Sequence, residues 1–171
     1  MANAGTDGNI CGIGVANPFT FSGIASTGTG TWTQISGPGI STFSDNQDAV
    51  SDVTVNTSGT YVYRWTEVSG SCTDFDEVTV NFYSPLLVQA GNDQIVCNGT
   101  TVTLGNSPTA VGGDGNYTYS WTSIPAGFIS STSNPAATAT ATTTFQVTVS
   151  DGSVCADVSD DILLLLLTNY H

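Results

Sequence analysis

An internal repeat constrains this chain more than any other feature. Ala4-Gly5-Thr6-Asp7-Gly8-Asn9-Ile10-Cys11 aligns with Ala90-Gly91-Asn92-Asp93-Gln94-Ile95-Val96-Cys97 at an offset of 86 residues. Thr31-Trp32-Thr33 matches Ser120-Trp121-Thr122, and Gly70-Ser71-Cys72-Thr73-Asp74 matches Ser153-Val154-Cys155-Ala156-Asp157. A period this long is a whole domain rather than a solenoid turn, and 171 residues have room for two small domains. The seam falls at Tyr83-Ser84-Pro85-Leu86, where proline is expected to break a strand-like run. The expected domains are therefore 1–83 and 85–171.

The four cysteines follow the repeat. Sixty-one positions separate Cys11 from Cys72, and 58 separate Cys97 from Cys155. Two similar intervals in succession predict one disulfide in each domain, Cys11–Cys72 and Cys97–Cys155. Closing a loop of ~60 residues is worth about 4 kcal/mol in the chain-entropy model, which matters where the core is small. Disulfides imply an oxidising compartment, hence an extracellular or cell-surface location. No two cysteines have metal-binding or redox C-x-x-C spacing, and the single histidine, His171, is terminal.

The residue types point to an all-β chain. Thr and Val suit a pleated sheet, Gly, Asn and Asp supply turns, and no window shows helical periodicity. Alternation of apolar and hydroxylated residues marks strands at 53–55, 61–65, 78–82, 102–104, 117–121 and 145–149. Glycine-rich turns such as Ser36-Gly37-Pro38-Gly39 and Gly112-Gly113-Asp114-Gly115-Asn116 separate them. Short strands at this spacing predict β-sandwiches.

Charge removes several function classes. Fourteen acidic residues face one basic residue, Arg64, for a net charge of −13. Such a chain cannot neutralise nucleic-acid phosphates and is repelled by anionic membrane surfaces. Its longest apolar run, Ile162-Leu163-Leu164-Leu165-Leu166-Leu167, is far too short to span a bilayer as a helix. Met1-Ala2-Asn3-Ala4-Gly5 lacks the basic start and apolar stretch of an export signal, so Met1 is expected to be an introduced start or the start of a fragment. Serine and threonine are abundant, but a hydrolase triad needs a base, and no carboxylate pair has a spacing diagnostic of glycosidase chemistry. The chain is not expected to be an enzyme.

Both units resemble the Ig-like, PKD-type repeats of giant surface proteins of Bacteroidota, including gliding-motility adhesins. The resemblance is carried by the Ala-Gly-x-Asp opening with Cys11 or Cys97, by Thr31-Trp32-Thr33-Gln34-Ile35-Ser36-Gly37-Pro38-Gly39, by Tyr61-Val62-Tyr63-Arg64-Trp65 and by Asn116-Tyr117-Thr118-Tyr119-Ser120-Trp121. It implies two tandem antiparallel Ig-like/PKD-like β-sandwiches, export through a type IX system, and a spacer or adhesive role. The chain departs from such repeats in two places. Trp121 runs into Thr122-Ser123-Ile124-Pro125 instead of an acidic, glycine-rich turn, and the last strand is a leucine block.

No cofactor is required by these residues; calcium is the one candidate. Hard cations want several oxygens, which three groups offer: Asp45, Asn46 and Asp48; Asp74, Asp76 and Glu77; Asp157, Asp160 and Asp161. The alternative is solvated acid that blunts edge strands. Trp32, Trp65 and Trp121 lie within strand patterns, where packing in a core competes with stacking on sugars. Sequons at Asn56, Asn98 and Asn116 are expected by chance in so Asn- and Thr-rich a chain.

The leucine block carries the functional expectation. In a strand, Ile162, Leu164 and Leu166 face one way and Leu163, Leu165 and Leu167 the other. One set fills a core. The other forgoes ~1.5–3 kcal/mol of burial apiece unless something covers it. A loop, a neighbouring repeat domain or another copy of the chain can do so, and a head-to-tail contact between copies propagates into a fibre. The expected function is an extracellular structural module that extends, assembles or adheres, with Ile162–Leu167 providing the self-assembly interface. The alternative is an adhesin module that recognises a surface glycan or protein through its loops.

Overall fold

The computed structural model describes residues 1–26 and 28–167, which form fourteen strands and no helix. The chain divides into two compact units, Met1–Pro85 and Leu86–His171. In the first, β1 (Gly8–Cys11), β7 (Cys72–Val88), β6 (Gly59–Ser69) and β3 (Thr29–Ser36) make one sheet, in that order. The facing sheet is β2 (Phe19–Thr20), β5 (Asp52–Val55) and β4 (Ser41–Phe43). In the second, β8 (Gln94–Cys97), β14 (Val158–Leu167), β13 (Thr143–Ser150) and β11 (Thr118–Ile124) repeat the larger sheet. There β9 (Thr101–Thr103) pairs with β12 (Ala136–Thr138), and β10 (Ala110–Gly113) pairs with β7, whose last residues, Leu86–Val88, belong to this unit. The larger sheet thus has the same connectivity in both units, while the smaller one has three strands in the first unit and a β9–β12 pair in the second.

Most of the pairing is antiparallel, and each unit contains a parallel pair. The first strand runs parallel to the last: β1 pairs with β7 from Gly8↔Val80 to Cys11↔Tyr83, and β8 with β14 from Gln94↔Leu164 to Cys97↔Leu167. These two registers make the first strands correspond at an offset of 86 and the last strands at 84. Val78, Val80 and Phe82 therefore occupy the places of Ile162, Leu164 and Leu166.

Alternation fills each core from one strand face. Tyr61, Tyr63 and Trp65 of β6 and Val78, Val80 and Phe82 of β7 are buried in the first unit. Phe21 stacks on Trp32 with ring centroids 3.9 Å apart, and Trp32 meets Trp65 at 5.2 Å. The second core is more aliphatic, built on Leu104, Trp121, Phe145, Val147, Val149, Ile162 and Leu164. Each β3 or β11 tryptophan donates its indole N–H to a backbone carbonyl, Trp32 to Asp48 at 3.0 Å and Trp121 to Thr132 at 3.1 Å. Trp32, Trp65 and Trp121 are all fully buried, so none offers a face to a sugar. Tyr61 closes the first unit by donating its hydroxyl to the Thr57 carbonyl at 2.7 Å, a tyrosine corner at the start of β6. Thr143 stands at that position in the second unit and donates to Ala141 O.

Two expectations require correction. Proline does not break the chain at the seam, because β7 continues through Ser84 and Pro85. Its register with β6 ends at Phe82 and that with β1 at Tyr83, so no partner strand in those ladders needs a Pro85 N–H. The cysteine pairing also differs. Cys11 and Cys155 are the disulfide-bonded cysteines, while Cys72 and Cys97 are free and exposed. Cys11 lies beside Tyr83, eleven residues along β7 from Cys72, or roughly 36 Å at about 3.3 Å per residue. A disulfide needs Cα atoms within about 7 Å. Cys97 lies beside Leu167, at the far end of β14 from Cys155. The parallel first strand thus puts the two cysteines of each unit at opposite ends of its sheet.

Candidate assembly surface

The Ala-Gly-x-Asp motif proves to be a clamp between first and last strands. Ala4 and Ala90 are wholly buried, so only a small side chain fits there. Their N–H groups donate to Asp76 Oδ2 at 2.9 Å and Asp160 Oδ2 at 2.7 Å. Gly5 and Gly91 turn the chain at φ +86° and +106°, and a Cβ on Gly5 would lie 2.3 Å from Ser22 Oγ. Asp7 and Asp93 then accept the N–H groups of Thr79 and Leu163, each at 2.8 Å. Four carboxylates thereby fix the parallel ladder in both units.

This accounts for much of the acidic clustering. Asp76 and Asp160 are amide acceptors, Asp74 accepts the Ala2 N–H at 2.7 Å, and Glu77 pairs with Arg64 at 2.6 Å. Arg64 also lies over the Phe75 ring, 4.2 Å from its centroid. Asp161 stands opposite Gln146, and Asp157 lies in the loop before β14. Asp45 and Asp48 accept N–H groups two residues ahead, from Gln47 and Val50. Among the described residues, no three His, Cys, Asp or Glu side chains gather as metal ligands do.

Two further acids are buried and satisfied. Glu67 accepts the hydroxyl and N–H of Ser26 and the indole N–H of Trp65. The Ser26 hydroxyl, with its N–H next, holds the Glu67 carboxyl below the ordinary glutamate value against the opposing effect of burial. Burial acts to raise Asp151. Donors from the Ser153 hydroxyl and the N–H groups of Asp114 and Ser153 outweigh it, and the carboxyl stays below its usual value. Burial pushes the Tyr63 hydroxyl up to about 12, despite its bond with Ser41. These groups are structural: each is enclosed by its own donors or by the core.

The outer face of the last strand is where the units diverge. In the first unit it is a polar ladder: Thr60 donates to Asn81 Oδ1 at 2.7 Å, and Asn81 donates to Asn9 Oδ1 at 2.9 Å. At the corresponding places the second unit has Leu165, paired with Ile95 on β8. Leu167 follows on the same face, paired with Cys97. Ile95 is 64% exposed, Leu165 42% and Leu167 53%. Ile162 and Leu164 are fully buried, and Leu163 and Leu166 are half-buried. The expectation that Ile162–Leu167 as a whole forms the interface is therefore corrected: Ile162 and Leu164 belong to the core, and the uncovered patch is Ile95, Leu165, Leu167 and the Cys97 thiol.

The first unit shows that the fold does not require this patch. The leucine block by itself does not point to Ile95, but the repeat alignment places Ile95 at the position of Asn9. A polar-to-apolar change on both strands at once was the available signal.

No protein-family model matches the sequence. No curated protein matches it either. Solved structures do share the fold. Extracellular domains 3–5 of Drosophila OTK superpose with a TM-score of 0.64 at 14% identity, covering 95% of this chain and 60% of that one. The insect immune protein hemolin gives 0.62 at 8% identity, covering 96% and 46%. Rst D1–D2 gives 0.55 at 11% identity, covering 98% and 97%. This chain spans less than two thirds of OTK domains 3–5 and less than half of hemolin. At these identities the likeness is one of fold, and the fold is that of tandem Ig-like β-sandwiches.

Proposed function

We propose that the chain is a structural module of an extracellular filament or surface protein, and that copies of it associate through the patch of Ile95, Leu165 and Leu167. The observation that carries this reading is the replacement of a hydrogen-bonded Asn9–Asn81–Thr60 ladder by exposed apolar residues at equivalent positions. Exposed apolar side chains on neighbouring strands make a surface that association covers. The occupant is a second copy because each unit leaves one cysteine unused, and one of these, Cys97, lies within the patch. Disulfide-bonded Cys11 and Cys155 favour an oxidising, extracellular setting. The resemblance of the repeat motifs to Bacteroidota surface repeats supports the same setting.

Sedimentation velocity of the Cys72→Ser/Cys97→Ser protein tests this without free thiols. Species larger than 17.6 kDa that grow with concentration are expected. A monomer throughout would overturn self-association. Glycan or protein capture by that monomer would favour the adhesin alternative.

A further inference from the structure

The four cysteines fall into two classes by their place in the repeat. Cys11 and Cys97 end the first strand of each unit, paired with Tyr83 and Leu167 of the last strand. Cys72 and Cys155 lie at the connection between the last two strands. Cys72 is opposite Ser69 across the Gly70-Ser71 turn, and Cys155 is in the β13–β14 loop. The bonded cysteines, Cys11 and Cys155, are one of each class. So are the free ones: Cys97 ends a first strand and Cys72 sits at a last hairpin. Both are exposed, and neither reaches the other cysteine of its own unit.

We propose that successive copies are joined covalently by a disulfide between Cys97 of one copy and Cys72 of the next. Every copy carries one thiol of each class, so pairing of unlike classes is directional and leaves a reactive cysteine at both ends. A contact of that kind propagates without closing. Cys97 lies against Leu167 in the apolar patch, so this step rests on the assembly reading: association brings the thiols together and oxidation locks them. The oxidant is a small-molecule or protein disulfide. The Cys97 thiolate attacks it and forms a mixed disulfide, releasing one thiol. The Cys72 thiolate of the next copy then displaces the second thiol. One S–S bond forms and one breaks, and the oxidant leaves as two thiols with the two electrons.

The test treats the full chain with oxidised glutathione and resolves it on a non-reducing denaturing gel. A ladder in steps of the 17.6 kDa chain, collapsed by reductant, is expected, with Cys72–Cys97 as the cross-linked peptide by mass spectrometry. Cys72→Ser alone and Cys97→Ser alone should each stay monomeric, whereas their mixture should stop at a covalent dimer. Dimers of either single variant by itself, or a wild-type monomer with or without its thiols, would overturn the proposal. If the doubly substituted protein still associates in the ultracentrifuge while no ladder forms, the disulfide fails and the assembly reading survives. If neither occurs, both fail.

Discussion

Replacing Ile95 and Leu165 with asparagine transplants the first unit's outer ladder onto the second. Asn9 and Asn81 already occupy these positions in a folded domain, hydrogen-bonded at 2.9 Å. The substituted sandwich should therefore keep its thermal midpoint. Its surface changes instead. Ile95 is 64% exposed and Leu165 42%. At about 1.5–3 kcal/mol for a fully buried side chain of this size, covering those fractions contributes roughly 2–3 kcal/mol to an interface. With about 1.4 kcal/mol per decade, association should weaken roughly 30- to 140-fold. Each copy carries a net charge of −13, so the comparison belongs at physiological ionic strength, where the Debye length is about 8 Å. Sedimentation velocity across a concentration series, with the substitutions made in the Cys72→Ser/Cys97→Ser protein, reads the shift in the association midpoint. An unchanged midpoint with an intact fold would refute the assignment of the contact to this patch.

Two further predictions concern what holds each unit together. Asp160→Ala strands the buried Ala90 N–H and should lower stability by about 2 kcal/mol in denaturant titration, with Asp76→Ala acting alike through Ala4; an effect within a few tenths would remove the clamp from the account. Glu67 is held below its ordinary 4.5, so the stability it adds is present above that pH and disappears as pH falls through the lower folded-state value. Glu67→Gln should flatten the loss of stability below pH 4.5 in acid unfolding, and an unaltered acid limb would count against a role for the Ser26 donors.

Much of this architecture was legible in the residues. The repeat, the alternating strands and the buried tryptophans all follow from patterns of period two or of one domain length, which neighbouring residues carry. Alternation divides the leucine block into two faces. Which face is buried depends on how β14 is placed against β13 and β8, and that puts Ile162 and Leu164 in the core and leaves Leu165 and Leu167 outside. What was not legible depends on register. Equal cysteine intervals suggest a bridge within each unit, but a parallel first strand sets its terminal cysteine beside Tyr83 or Leu167, away from the last hairpin. Asp76 and Asp160 read as loose acid because their partners are backbone N–H groups about seventy residues away. Pro85 read as a break because the end of the β6 and β1 ladders short of it is a tertiary fact.

Electron microscopy of negatively stained wild-type protein, kept oxidised at physiological salt, tests the central claim most directly. Unbranched filaments that the Ile95→Asn/Leu165→Asn protein fails to form are the predicted result. Isolated 17.6 kDa monomers at every concentration would contradict it.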